Sequence, residues 1–166
     1  MKTPQDEPAF WSQDKKFGAI LTANALAELV RYAAAAGQLE TGGILMGRYN
    51  DQHNCAIIDY VTGPPSDSEH GHSTFVRGVK GLGAIVSRLW TKERRYYLGE
   101  WHFHPGASPI PSHTDLTSMV AIARDAKYSC PEPILLIIGG TPPKSWELSL
   151  QVTSANGAHV ELSSEA

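Results

Sequence analysis

The chain has 166 residues, a length that fits one domain, and a chain of this size buries roughly 70% of the surface its unfolded form exposes, so a core forms without disulfide staples. Hydrophobic residues make up 42% and charged residues 19%, an ordinary globular balance, and the net charge of -3 excludes a dominant basic face and with it nucleic acid as the main partner. Cys55 and Cys130 form no CxxC pair, and no apolar run approaches the roughly 18–20 residues of a membrane helix, so the expectations are no disulfide scaffold, no membrane partner and a reduced, cytoplasmic setting.

Residues 1–16 are polar and proline-marked and carry no apolar h-region of a signal peptide; they are expected to form a flexible lead-in to one domain spanning 17–162. A short strand is predicted over 17–21. Thr22 then caps a helix in which Leu26, Leu29, Val30 and Ala33 recur at helical spacing, and Gly37 ends it. Glu40-Thr-Gly-Gly leads into a strand over 44–49, a turn over 50–54 and a second strand over 55–61, which together predict a hairpin. Residues 63–73, GPPSDSEHGHS, read as a loop by composition. A helix over 76–94 fits the apolar positions Val79, Leu82, Ile85, Val86 and Leu89. The basic cluster Lys92, Arg94 and Arg95 falls at its end, where cations suit the helix dipole. A strand follows over 96–103, and the prolines at 105, 109 and 111 exclude regular structure after it. Ser112 opens a helix to about residue 127, and strands are predicted over 133–139, 146–152 and 159–162. The order mixes hairpins with crossovers, which gives an α/β domain with a mixed, curved sheet flanked by helices.

The chemistry concentrates in GEWHFHP at 99–105 and PSHTD at 111–115. On a strand, residues i and i+2 share a face, so His102 and His104 project together while Trp101 and Phe103 project into the core. Two imidazoles at a strand end are a ready pair of zinc ligands, and Asp115, on the first turn of the next helix, offers a third; three protein ligands leave an open position for water. A carboxylate near that water can accept its proton, and Glu40, followed by Gly42-Gly43, is the candidate base. Glu100 faces the same way as His102 and is the rival: a base, or a carboxylate orienting an imidazole. Ser112 can cap the helix, and its hydroxyl can donate to a developing oxyanion.

Glu40, then His102-x-His104, seven residues, Ser112, two residues and Asp115 resembles the JAB/JAMM motif of the MPN domain, and the flanks ETGGILMG and GEWHFHP resemble its bacterial stand-alone branch. The similarity runs over about 17–152. It implies a JAB/MPN, cytidine-deaminase-like fold and a zinc metalloprotease with one Zn2+ per chain, bound by His102, His104 and Asp115. Glu40 would be the base and Ser112 the oxyanion donor. The implied substrate is the C-terminal end of a ubiquitin-like protein or of a conjugated protein tail, and the implied setting is an antiphage cyclic-oligonucleotide signalling (CBASS) operon, where such a protease removes a cyclic-nucleotide synthase from its conjugation targets. The same family also contains peptidases of sulfur-carrier metabolism and non-catalytic MPN scaffolds, which typically lose the ligands. In the family the region of 63–73 borders the tag-binding cleft. His70 and His72, a second HxH, have no carboxylate at the matching interval and read as solvent-exposed or as a substrate rim. His113, His53 and His159 read as surface residues, and neither cysteine is placed as a nucleophile.

Overall fold

The structure, a computed structural model, describes residues 7–165. In chain order the elements are β1 (Ala9–Trp11), β2 (Gly18–Leu21), α1 (Ala23–Ala36), β3 (Thr41–Tyr49), β4 (Cys55–Val61), β5 (Glu69–His70), β6 (Phe75–Val76), α2 (Leu82–Glu93), β7 (Tyr96–Pro105), α3 (His113–Arg124), β8 (Ile134–Thr141), β9 (Ser145–Thr153) and β10 (His159–Ser164). The main sheet runs β1-β10-β9-β8-β7-β3-β4-β2 and closes on itself, with β2–β4 and β7–β8 parallel and the remaining pairs antiparallel. It is the expected mixed, curved sheet. The closure comes from β1, which pairs with both β2 and β10 and buries Phe10. Residues 9–11 of the expected flexible lead-in are therefore a strand of the domain, while residues 1–6 lie outside the described residues. Among the described residues no helix is long and apolar enough to cross a membrane.

The sheet has two apolar faces. Leu29 and Ala33 of α1 pack with Leu45, Ile58, Leu98, Trp101, Phe103, Leu136 and Ile138 on one; Leu82 and Leu89 of α2 and Met119 and Ile122 of α3 pack with Ile44, Met46, Tyr97, Leu135 and Ile137 on the other. Neighbours along β3 and β8 thus go to opposite faces, as the two-residue strand period requires. On β7 that alternation is reset once. Leu45 pairs with Gly99 but Met46 pairs with Tyr97, a bulge that leaves Leu98 and Trp101 on the same α1 face. Gly99 has φ 153, and a Cβ there would run into the Ile134 backbone, so the bulge needs glycine. Past the bulge, Glu100, His102 and His104 take the face opposite α1.

Other elements differ from expectation too: β7 runs on through Pro105, which pairs with Gly140 of β8 although the proline was expected to end the strand. Strand β3 begins at Thr41 rather than 44, because Thr41, Gly42 and Gly43 pair with Phe103, His102 and Trp101. Helix α2 begins at Leu82 rather than 76: the Asp67 carboxylate accepts from the Val79 and Lys80 N–H groups, and Gly81 turns the chain at φ 82. Val79, counted toward the helix's apolar face, is 67% exposed. The released residues 75–76 form β6, which pairs with β5 inside the expected loop to make a small two-stranded sheet.

Candidate metal centre

Two elements bring the expected ligands together. His102 and His104 lie near the C-terminal end of β7, and Asp115 is the third residue of α3, so the crossover from β7 into α3 returns a helix start to the strand end it has just left. Among the described residues, His102, His104 and Asp115 form a group whose donor atoms all lie within 4.8 Å of one another. His102 Nδ1 is 3.0 Å from Asp115 Oδ1, and His104 Nε2 is 3.4 Å from Asp115 Oδ2. Donors around one tetrahedral zinc ion at about 2.0–2.2 Å lie about 3.3–3.6 Å apart, so two imidazoles and a carboxylate gathered within 4.8 Å are of the right kind and near the spacing one metal ion needs. Each side chain keeps only 11–13% of its surface exposed, which holds the donors in place yet leaves a way in from solvent.

The side chains of the cluster also act on one another's charge. Burial works to raise the Asp115 carboxyl, but hydrogen bonds from His102, His104 and the Ser112 N–H outweigh it and hold the group far below the usual carboxylate range. His104 is raised, chiefly by its hydrogen bond to Asp115, against the opposing effect of burial.

Glu40 stands immediately before β3, in the register position next to His104, since Thr41 pairs with Phe103. It lies outside the ligand cluster but close enough for its charge to be felt there: burial raises its carboxyl, His104 and His102 pull it down, and Asp115 pushes it up. Its carboxyl thus sits beside the cluster without belonging to it. Its backbone is fixed on both sides, with the Glu40 N–H donating to the Gly71 carbonyl at 2.8 Å and the His70 Nδ1–H donating to the Glu40 carbonyl at 2.9 Å. Gly42 lies under His102, where a Cβ would meet the Trp101 carbonyl and the rings of Phe75 and His102.

Ser112 is the N-cap of α3 in a full capping box. Its hydroxyl accepts from the Asp115 N–H at 3.1 Å, and the Asp115 carboxylate accepts from the Ser112 N–H at 2.8 Å. The cap uses the hydroxyl as an acceptor, so its proton stays free to donate. The same box that starts the helix orients Asp115.

Glu100 faces as expected but is buried away from the site opening, 4% exposed, and pairs with Arg77. Burial raises its carboxyl against the pull of Arg77. With Oε1 engaged by Arg77 and the group buried, it is less open to solvent than the half-buried Glu40. His70 and His72 are exposed and hydrogen-bond to the Glu40 and Gln38 carbonyls, so they brace the approach to the site instead of binding at it. His113 and His53 are exposed, and His159, also exposed, meets Thr153 Oγ1 at 2.9 Å. Both cysteines are free and buried; burial pushes the Cys130 thiol up to about 12 and raises Cys55, the state of core residues rather than nucleophiles. Sequence reasoning missed Phe75, whose ring meets His102 edge-on at 5.5 Å, and Arg77. No spacing rule connects either to position 100 or 102; only the folded hairpin does.

A strand-borne pair of imidazoles and a helix-borne carboxylate make a donor set that could hold one metal ion, with a separate half-buried carboxylate beside it. The chain belongs to the prokaryotic homologs of the JAB domain, a family that matches residues 22–149. It is 40% identical over 153 residues to a CD-NTase/cGAS isopeptidase of Enterobacter hormaechei, covering 92% of this chain and 84% of that protein. It is also 30% identical over 115 residues to a protein of Sinorhizobium fredii named "Probable metalloprotease y4qB", covering 65% of this chain and 70% of that one. The solution structure of protein DSY2949 from Desulfitobacterium hafniense superposes with a TM-score of 0.62 at 20% identity, covering 87% of this chain and 88% of that one, a likeness of fold.

Proposed function

We propose that this protein is a zinc-dependent isopeptidase that releases a protein tail, joined through its C-terminal residue to an amine, and that its substrate is a conjugated cyclic-nucleotide synthase in cytoplasmic antiphage defence. The observation that carries the chemistry is the convergence of His102, His104 and Asp115 on one point, with Glu40 beside them and outside the donor set. The substrate class is supported by the relative named CD-NTase/cGAS isopeptidase, which is similar over nearly the whole chain. A scaffold without activity would have no need of the complete donor set.

His102, His104 and Asp115 would hold the zinc. When bound, zinc supplies Lewis acidity and a lowered water pKa. Glu40, its carboxyl raised by burial, accepts the proton of the attacking water and passes it to the departing amine. Ser112 donates its free hydroxyl proton to the oxygen of the scissile carbonyl as charge builds there. The water oxygen ends in the new carboxyl group of the tail, which gives up its remaining proton to solvent, and the amine leaves with the proton that Glu40 carried.

The roles separate by substitution. Glu40→Ala is expected to keep about one zinc per chain and to lose turnover by roughly 100-fold to 10,000-fold, the range for a general base; His104→Ala is expected to lose zinc and turnover together. Zinc loss from Glu40→Ala, or wild-type turnover in that variant, would contradict the assignment.

A further inference from the structure

The buried pair Arg77–Glu100 plays no part in the chemistry above, and its location is informative. Arg77 directly follows β6. Its Nε donates to Glu100 Oε1 at 2.5 Å, its Nη2 to the Tyr128 hydroxyl at 3.0 Å and its Nη1 to the Gly78 carbonyl at 2.8 Å. The two charged side chains keep only 10% and 5% of their surface exposed. Glu100 lies two residues before His102 on one face of β7, and Phe75 lies two residues before Arg77. The segment 75–77 therefore crosses 100–102 with two rungs: Phe75 edge-on against His102 and Arg77 on Glu100. The partner strand β5 carries the support onward, because His70 stacks near Phe75 at 5.3 Å and, with Gly71, holds both backbone groups of Glu40.

A sheet of two two-residue strands does not hold its own position in water. Something must fix it to the body, and a charge pair is an odd choice for stability alone, since a well-packed apolar pair in its place is often as stable. What a forked guanidinium adds is geometry: two directed donors tie the chain after β6 to Glu100 and Tyr128, and a third, to the neighbouring Gly78 carbonyl, sets the side chain's direction.

We propose that Arg77, through its buried pair with Glu100, is a positioning residue that seats the β5–β6 hairpin over the metal centre and thereby fixes the His102 ring and the Glu40 backbone. The pair acts through Phe75 and His70 and touches no reacting atom. The kinetic part of this inference rests on the isopeptidase reading; the structural part does not.

The test removes both charges at once, with Arg77→Met/Glu100→Leu, so that neither is left buried alone. Amide exchange of residues 69–76 is measured in chelated and in zinc-loaded protein, beside zinc content and the denaturant midpoint. The expected result is exchange about tenfold or more faster over 69–76, with an unchanged midpoint and about one zinc per chain. On a conjugate substrate, kcat is expected to fall about 10-fold to 100-fold, the scale set by a misplaced catalytic group, with KM changing less. Arg77→Lys, which keeps the charge and loses the fork, is expected to fall between wild type and the double variant, and it gives the same readout if the double variant does not fold. Unchanged exchange over 69–76 would overturn the proposal whether or not the protein cleaves any conjugate. Faster exchange with kcat within twofold of wild type, on a substrate the wild type cleaves, would overturn its catalytic half.

Discussion

Ser112 carries two roles that one substitution can separate. Its hydroxyl accepts from the Asp115 N–H at 3.1 Å as the cap of α3, and the same hydroxyl is the proposed oxyanion donor. Removing a serine cap costs about 1 kcal/mol. In a chain of this size that is a fall of about 2–4 °C in Tm. Removing an oxyanion donor costs about 100-fold to 1,000-fold in kcat, or about 2.7–4 kcal/mol of transition-state stabilisation. Ser112→Ala is therefore expected to melt only slightly earlier yet to lose at least 100-fold in kcat. Ser112→Thr, which keeps the hydroxyl, should recover most of both. The assay is single-turnover cleavage of a conjugate at saturating zinc, with zinc content measured on the same samples, because the capping box also orients Asp115 through the Ser112 N–H. A Tm drop of the expected size with kcat within threefold of wild type would leave Ser112 a helix cap and nothing more.

Zinc added to chelated protein at about 100 times its Kd is expected to stabilise it by about 2.7 kcal/mol, which by the same scaling raises Tm by roughly 5–11 °C; His104→Ala should show no such rise in a thermal melt. The pH dependence of that stabilisation follows from the ligands. His104 is raised by Asp115, so in chelated protein its contribution is fully present below its unfolded value near 6.5 and is lost as pH rises through its folded value. Asp115 is lowered, so its contribution is present above about 3.9 and is lost only as pH falls through its depressed folded value. Zinc needs neutral imidazole, so the gap in Tm between zinc-loaded and chelated protein should widen from pH 5.5 to 8, and a constant or narrowing gap would contradict the ligand set. Away from the site, Trp101 is fully buried, stacks on Tyr32 and donates its indole N–H to the Thr62 carbonyl at 2.9 Å. Trp101→Phe leaves that buried carbonyl without its donor and opens a void, and urea denaturation should show a loss of about 2–4 kcal/mol.

The metal centre was legible because its parts are local. His102 and His104 follow from the two-residue period of a strand, and Asp115 from a capping box that Ser112-x-x-Asp announces in the sequence. Glu40 was singled out by the Gly42-Gly43 that follows it and by the family's spacing, since no rule of periodicity joins it to a strand 60 residues on; its role as base is a proposal. What stayed hidden depends on distant contacts. Strand β1 lies in a polar stretch with one buried aromatic, Phe10, and exists because β2 and β10 present edges to it. The hairpin over 69–76 has no alternation to read. The start of α2 moved because Asp67, more than ten residues earlier, takes the N–H groups that would have opened the helix. The pairing of Arg77 with Glu100 spans 23 positions and becomes visible only once the sheet has formed.

The central claim is tested most directly on a conjugate in which the C-terminal carboxyl of a bacterial cyclic-nucleotide synthase is joined to a lysine side chain of a second protein. Zinc-loaded protein is incubated with it and the products are weighed by mass spectrometry. The expected products are the synthase with its full C-terminus as a free carboxylate and the second protein with its lysine restored, their release blocked by chelator and absent with Glu40→Ala. An intact conjugate under zinc-loaded wild type, or cleavage that proceeds equally with Glu40→Ala, would contradict it.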